Sequence, residues 1–161
     1  MGDIVFNIAK GQGVELYRRV KSSDPTDSAF VIVLLASTGL VSDATLKDYD
    51  TLAAVLAGAS NEATNTGYAR IVLDDSDLAA LPAPDDTNDR YNIDLRDFSF
   101  TAVDNDGTGE IGKLLVCYDS DTANGNDSNI VPLTAHDWVV TPDGNNLNAV
   151  IDTLGFFGAE E

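Results

Sequence analysis

The feature that most constrains the fold is a series of short apolar runs between residues 68 and 151, separated by turns rich in Asp, Asn, Gly and Pro. Runs at intervals of roughly 8–12 residues are typical of an antiparallel sandwich or barrel. Residues 91–95 alternate between apolar and polar side chains, so we expect one face of that strand to be buried. The sequence thus predicts antiparallel strands at residues 68–73, 90–95, 98–103, 111–118, 130–133, 138–141 and 147–151.

Two helices are predicted in the N-terminal third. Apolar side chains recur every three or four positions in residues 8–21 and again in residues 42–56, which is the helical period. Asp43 and Thr45 are candidate N-caps of the second helix, and Gly58 is its candidate stop.

Between the two helical patterns, residues 30–35 are apolar on both faces, which predicts a central strand. The 161 residues correspond to about one domain. We therefore predict a single α+β domain, with a predominantly antiparallel sandwich or barrel body at residues 59–161 and one or two helices in residues 1–58.

Charge is the second constraint. The chain has 9 Lys and Arg against 27 Asp and Glu, a formal net charge of −18, whereas nucleic-acid-binding domains present a basic surface. No stretch reaches the ~18 consecutive apolar residues of a membrane span. We therefore expect neither nucleic acid nor a membrane as a partner.

The charge is also unevenly distributed along the chain. Residues 1–25 have four bases and three acids, a net charge of +1, whereas residues 97–161 have one base and twelve acids, a net charge of −11. Such asymmetry concerns partners and solubility rather than the fold.

Residues 104–111 (Asp-Asn-Asp-Gly-Thr-Gly-Glu-Ile) resemble the opening of a calcium-binding loop, but position 12 is Leu115 where a bidentate Glu is required. We therefore favour a β-hairpin turn here, with a weak cation site as the alternative. The candidate ligands of that site are Asp104, Asp106, Thr108 and Glu110.

Catalytic motifs are not found in the sequence. His136 is the only histidine, and Cys117, the only cysteine, lies in a strand-like apolar run where we expect it to be buried. Gly-x-Ser-x-Gly and phosphate-binding glycine motifs are missing, and no pair of carboxylates is singled out. The sequence predicts no enzyme and no cofactor.

Residues 61–70 (Asn-Glu-Ala-Thr-Asn-Thr-Gly-Tyr-Ala-Arg) resemble the E-x-x-x-x-G-Y-A-R strand entry of small structural proteins of tailed bacteriophages. The likeness extends to most of the chain through residues 5–11, 17–20, 86–90, 112–119 and the closing Gly155-Phe156-Phe157. It implies a non-enzymatic virion protein of the head module, most simply a capsid decoration (cement) protein.

That resemblance implies the major capsid protein and further copies of the same chain as partners, in a homo-oligomer such as a trimer. The implied location is the capsid surface, after synthesis in the cytoplasm of the host bacterium. The near-neutral N-terminal segment is the candidate contact region, and its candidate contact residues are Ile4, Val5, Phe6, Arg18, Arg19 and Lys21. This segment is equally interpreted as an ordinary first strand and helix packed on the protein's own core.

Two other classes of function remain open from the sequence. A tail or head-fibre component would use the same fold to bind a host receptor. A calcium-dependent carbohydrate-binding module would use residues 104–110.

Overall fold

A five-stranded antiparallel sheet forms the centre of the computed structural model, which describes residues 2–58, 60–152 and 157–160. The helices are α1 (Gly13–Lys21), α2 (Asp43–Leu46) and α3 (Leu52–Ala57), with 3₁₀ turns at 7–9 and 122–124. The strands are β1 (Ile4–Val5), β2 (Ala29–Ala36), β3 (Ile71–Leu73), β4 (Arg90–Ile93), β5 (Phe98–Phe100), β6 (Ile111–Asp119), β7 (Val131–Val140), β8 (Leu147–Ala149) and β9 (Phe157–Glu160). The sheet order is β1-β7-β6-β2-β3, and β4 with β9 and β5 with β8 form two further two-stranded sheets.

Strands β2 and β6 are buried along their whole length and pair with each other in antiparallel register from Ala29 opposite Asp119 to Ala36 opposite Ile111. A strand that is covered on both faces has no polar face, which explains the uninterrupted apolar run of β2. The predicted central strand at residues 30–35 is confirmed.

Different elements cover the two faces of the sheet. Residues paired in register point to the same face, so Phe30, Val116 and Leu114 share one face. Helix α1 covers one end of that face, where the ring of Tyr17 lies 6.0 Å from that of Phe30, and Phe100 of β5 packs at 6.1 Å from Trp138 of β7. The opposite face carries Lys113, whose ion pair with Asp43 brings the start of α2 to it.

The α+β class with an antiparallel, sandwich-like body is confirmed, but the helix boundaries differ from the prediction. The first helix begins at Gly13, because residues 7–9 form a 3₁₀ turn. The second predicted helix is two short helices. Ser42 and Thr51 each cap one of them by accepting a backbone N–H bond, and Gly58 ends the second.

Several strand boundaries are also corrected. The runs at 130–133 and 138–141 belong to one ten-residue strand, β7, whose pairing with β6 is irregular at two places. The predicted strands at 68–73 and 98–103 are shorter, as β3 and β5. Within the part of the chain that the structure describes, no helix has the length and apolar character needed to cross a membrane.

Candidate functional site

The three apolar contact residues predicted from the sequence, Ile4, Val5 and Phe6, lie in or directly after a strand of the protein's own sheet. Ile4 and Val5 form β1, which pairs with Ala135 and Thr134 of β7. Val5 is 36% exposed, whereas Phe6 is fully buried in the core. The prediction of Phe6 as a contact residue is therefore corrected, because its side chain packs inside this chain and cannot contact another molecule in this conformation.

The fully buried Lys113 fixes the start of the chain to the sheet. Its ammonium donates to the Gly2 carbonyl at 3.0 Å, lies 3.1 Å from Asp43 Oδ1 and forms a short hydrogen bond to Asp137. The Gly2 N–H donates to the other Asp43 oxygen at 2.7 Å. Burial raises the pKa of Asp43, but the Gly2 bond and the Lys113 charge outweigh it and hold that pKa below its ordinary value.

Asp3 also fixes the start of the chain to the sheet, through two residues of β7. One carboxylate oxygen accepts the Asp137 N–H at 2.8 Å, and the other lies 3.2 Å from Nδ1 of His136. The second ring nitrogen of His136 lies 2.9 Å from the Thr134 hydroxyl. Burial raises the pKa of Asp3, but these hydrogen bonds and the neighbouring charges hold it below its ordinary value.

The outer surface of α1 carries two of the four cations of the N-terminal segment, Arg18 and Arg19. Arg18 donates to both Glu15 oxygens at 2.9 Å, and Arg19 donates to Glu15 at 3.1 Å. Val14, one turn before Arg18, is 37% exposed. We name Val14, Glu15, Arg18 and Arg19 the α1 surface. Exposed ion pairs of this kind contribute little to stability, so the arginines can exchange Glu15 for another acidic partner.

Lys21 does not share that surface, although the sequence grouped it with the two arginines. Its ammonium donates to the carbonyl oxygens of Asp75 and Leu78, at 2.9 Å and 2.8 Å. It therefore fastens the end of α1 to the segment that follows β3.

The acidic loop at residues 104–110 binds a neighbouring segment of the chain. Asp106 accepts hydrogen bonds from the N–H and the hydroxyl of Thr66, both at 2.7 Å, and they hold its pKa below the ordinary value. The Thr108 hydroxyl donates to Asn65 at 2.9 Å. Gly107 has a φ of +54°, and a Cβ there would lie 2.5 Å from the Thr64 carbonyl oxygen, so this close approach requires glycine.

The four candidate calcium ligands do not form a cluster. Glu110 is directed to the Ser37 hydroxyl, 2.8 Å away, while Asp106 is directed to Thr66. Among the described residues, no group of three or more His, Cys, Asp or Glu side chains is placed to hold a metal ion. The predicted hairpin is corrected as well, because β5 pairs with β8 and β6 pairs with β2 and β7.

Residues of the motif at 61–70 form an ion-pair cluster with Asp127. Arg70 binds the Glu62 carboxylate through two nitrogens, at 2.8 Å and 2.6 Å, and the Asp127 carboxylate at 2.6 Å and 3.1 Å. The Tyr68 hydroxyl donates to Glu62 at 2.9 Å and accepts the Leu34 N–H at 3.1 Å. The motif therefore ties the segment before β3 both to β2 and to the loop between β6 and β7.

A cavity of about 290 Å³ lies on the sheet face that carries Leu114 and Val116. Trp138 lines it and is partly buried, with its ring 6.1 Å from that of Phe100. Val150, at the rim, is 77% exposed. We name this space the Trp138 cavity; it is lined by Asp3, Leu114, Val116, His136, Trp138, Ala149, Val150, Ile151 and Asp152.

The sequence did not predict this cavity, because its lining comes from four separate parts of the chain. The signals that were available are that Trp138 is the only tryptophan and that His136 lies two residues before it on the same strand. Cys117, by contrast, is buried as predicted, and burial raises the pKa of its thiol.

Comparison with protein-family models, with curated proteins and with solved structures finds no match to this chain.

Proposed function

We propose that this protein is a non-enzymatic structural component of a tailed-bacteriophage virion, a decoration protein bound to the outer surface of the assembled head. Its partners are the major capsid protein and further copies of this chain. It is synthesised in the cytoplasm of the host bacterium. The likeness of residues 61–70 to small phage structural proteins supports the assignment, and a mainly architectural role suits the Glu62–Arg70–Asp127 cluster in which those residues take part.

The observation that carries the proposal is the α1 surface. It exposes two arginines and Val14 on a protein whose formal net charge is −18. Many copies with that charge repel one another in solution, so attachment is expected where the local field is weakest or reversed. An exposed cationic patch beside an apolar side chain fits an acidic surface of the shell, and such charges chiefly set the rate and the specificity of association.

The structure revises how the N-terminal segment would take part. Phe6 and Lys21 are engaged within the chain, while Val5, Val14, Arg18 and Arg19 remain exposed to a partner. The proposed contact therefore includes the edge strand β1 and the α1 surface, with Phe6 supporting β1 from within the core.

The test is the copy number and location of the protein in purified virions. Heads and tails of the phage that carries the gene are separated, and the protein is quantified against the major capsid protein by mass spectrometry. We expect many copies per particle, in fixed ratio to the shell protein and in the head fraction. Absence from virions would overturn the assignment, and a handful of copies on the tail or at vertices would replace it with a tail or head-fibre role.

A further inference from the structure

Lys113 places an amine on an apolar face of the central sheet. Its side chain is 0% exposed, and Leu35 lies opposite it in register on β2. Ile111 and Leu115, two residues before and two residues after it on β6, share its face of the strand and are also fully buried. The amine is therefore shielded from water and depends on the polar groups that the fold places beside it.

The first of these groups is the carboxyl of Asp137. This residue lies directly across from Lys113 on β7 and accepts a short hydrogen bond from its Nζ. The pairing is irregular at this point, because the two-residue step from Ile111 to Lys113 faces a three-residue step on β7. Bulges of this kind re-aim a side chain. The Asp137 N–H donates to Asp3 at 2.8 Å, so the sheet itself holds the amine and the carboxyl in contact.

Asp43 supplies a second carboxylate to the same amine. Its Oδ1 lies 3.1 Å from Nζ and is fully buried, yet it has no hydrogen-bond partner of good geometry among the described residues. Its Oδ2 accepts the Gly2 N–H at 2.7 Å. The pKa of Asp43 is below its ordinary value, so this group is a carboxylate that can accept a proton. A buried oxygen with an unused lone pair calls for an explanation, and the temporary binding of a proton provides one.

We propose that Lys113 and Asp137 condense after folding to form an isopeptide bond between β6 and β7, with Asp43 as the carrier of a proton. The ion pair is the unreacted form of this site, and before the bond forms only the ion pair contributes to stability there. The proposal is separate from the virion assignment, which depends on the α1 surface.

The atoms and charges of the reaction balance within the site. One proton passes from Nζ to Asp137 along their hydrogen bond, which leaves a neutral amine and a carboxylic acid. The two remaining N–H groups face the Gly2 carbonyl at 3.0 Å and Asp43 Oδ1, so the freed lone pair faces Asp137 and attacks its Cγ. Asp43 takes a second proton from nitrogen and passes it to the departing hydroxyl. A C–N bond forms, a C–O bond breaks, and one water molecule leaves.

The fold supplies what this condensation lacks in free solution. In water, an ammonium and a carboxylate are hydrated and seldom meet, whereas here the ammonium is buried and the two groups are already in contact. Contact of this kind corresponds to an effective concentration of ~10⁵ M or more. The side chains of Asp43 and Asp137 are 24% and 30% exposed, so the released water has a short path to solvent.

The first experiment measures the mass of the intact, denatured protein at intervals after its synthesis. We expect the mass to fall below the value calculated from the sequence by that of one water molecule. The loss should persist in denaturant, because the bond is covalent. A mass that stays at the calculated value after prolonged incubation of the folded protein would overturn the proposal.

Trypsin locates the bond, because Lys113 is the only lysine or arginine in residues 97–161. An acylated Lys113 is no longer a cleavage site, so we expect one uncut fragment, 97–161, lighter by one water molecule. Water lost elsewhere, for example at Asp106-Gly107, would leave the cut after Lys113 intact, and that result would overturn the proposal. A fragment joined to residues 22–47, which contain Asp43, would overturn the choice of Asp137.

Variants test the two carboxylates separately, with the uncut tryptic fragment as the readout and circular dichroism as the check of folding. Asp137→Ala should form no bond, and Asp43→Asn, which cannot carry the proton, should form it several-fold more slowly. Asp50→Asn makes the same chemical change at an exposed residue and is the matched control. A bond in Asp137→Ala would overturn the partner, and equal rates for Asp43→Asn and Asp50→Asn would overturn the role of Asp43. If a variant does not fold, the mass and the tryptic fragment of the unaltered protein still decide the proposal.

Discussion

Lys113 shows how one residue can join distant parts of this chain. It lies in the middle of an otherwise apolar strand and is fully buried, yet its ammonium contacts Gly2, Asp43 and Asp137. A buried ammonium is tolerated only when such partners replace its water. In the sequence it is the only base among the twelve acids of residues 97–161, but nothing in that pattern identifies the partners.

We expect Lys113→Met to destabilise the protein by about 2–3 kcal/mol. Methionine preserves the stem but leaves two carboxylates without their cation, and removing one member of a buried ion pair is strongly destabilising. The lower part of the usual range applies because the side chains of Asp43 and Asp137 are partly exposed. Urea unfolding measures the effect. Lys10→Met, at an exposed lysine, is the control and should change stability by less than about 0.5 kcal/mol.

Cys117 should be inert toward thiol reagents in the folded protein. The side chain is fully buried, and burial raises the pKa of the thiol, so the reactive thiolate is suppressed. Labelling with a chromogenic disulfide should proceed only after denaturant is added. Rapid labelling without denaturant would contradict the buried position.

At the level of elements, the sequence predicts those strands whose patterns are local. The apolar runs of β2 and β6 can be recognised from the sequence alone, because a strand that is buried on both faces has an apolar pattern that does not depend on knowing its partner strands. Strand β1 has two residues and exists only through its pairing with Ala135 and Thr134. A first strand in the N-terminal segment was one of the two interpretations that the sequence left open, whereas β9, which pairs with β4, was not predicted. Of the closing Gly155-Phe156-Phe157, the first two residues lie outside the described part of the chain.

The candidate sites, like the strands, could be predicted where they depend on a local sequence pattern and not where they depend on long-range contacts. The exposure of Arg18 and Arg19 follows from the helical period, which places them away from Tyr17 and Val20. The burial of Phe6 depends on β1 adding to the edge of β7, a long-range contact without a local signal. The Trp138 cavity likewise needs the packing of residues 149–152 against the sheet.

Calcium should leave the melting temperature nearly unchanged. The carboxylate of Asp106 is engaged by Thr66 and that of Glu110 by Ser37, so the loop presents no common centre for a cation. If the loop bound calcium, a calcium concentration 100 times the dissociation constant would add about 2.7 kcal/mol to the free energy of unfolding. For a domain of this size, that would raise the melting temperature by several degrees. Differential scanning calorimetry with millimolar calcium, and with magnesium as the ionic control, measures this. A calcium-specific shift of several degrees would contradict the structural role of the loop.

At the scale of the whole molecule, opposite charges meet where chain segments are joined. Arg70 joins Glu62 to Asp127, and Lys113 joins Asp43 to Asp137. The remaining acids give the protein its net negative charge. The same carboxylates that make the surface anionic therefore also hold the fold together where they meet a base.

This arrangement makes the protein sensitive to acid. The Arg70 guanidinium lowers the pKa of Asp127, and the pKa values of Asp3 and Asp43 are also below their ordinary range. A carboxyl whose pKa is depressed in the folded state stabilises the fold above its unfolded pKa, and that contribution is lost as the pH falls through the folded value. We expect the free energy of unfolding to decrease below about pH 4, measured by urea unfolding between pH 3 and pH 7. Constant stability down to pH 3 would contradict it.

The attachment of the N-terminal segment decides how docking can be tested. Deleting residues 1–7 would remove Phe6 from the core and Gly2 from Lys113 and Asp43. Loss of these contacts would destabilise the fold. Reduced occupancy of such a variant on phage heads would therefore not show that the deleted residues contact the shell. Substitutions on the α1 surface avoid this difficulty, because its side chains are exposed and its ion pairs contribute little to stability.

We expect Arg18→Glu to lower the occupancy of the protein on phage heads without changing its melting temperature. Arg18 is exposed beside Val14 and forms an ion pair with Glu15. A glutamate at residue 18 would put two acids side by side on the α1 surface, and these would repel an acidic surface of the shell. Lys47→Glu changes the net charge by the same amount outside the α1 surface and serves as the matched control.

Occupancy is measured by adding each purified variant to heads that lack the protein and sedimenting the particles at several salt concentrations. The loss for Arg18→Glu should be largest at low salt and decline as the Debye length shortens from about 30 Å at 0.01 M to about 8 Å at 0.15 M. Lys47→Glu should bind as the unaltered protein does. Full occupancy of Arg18→Glu at low salt would show that docking needs no cation at residue 18. An equal loss of occupancy for both variants would show that only the net charge matters. Either result would show that α1 is not the docking surface.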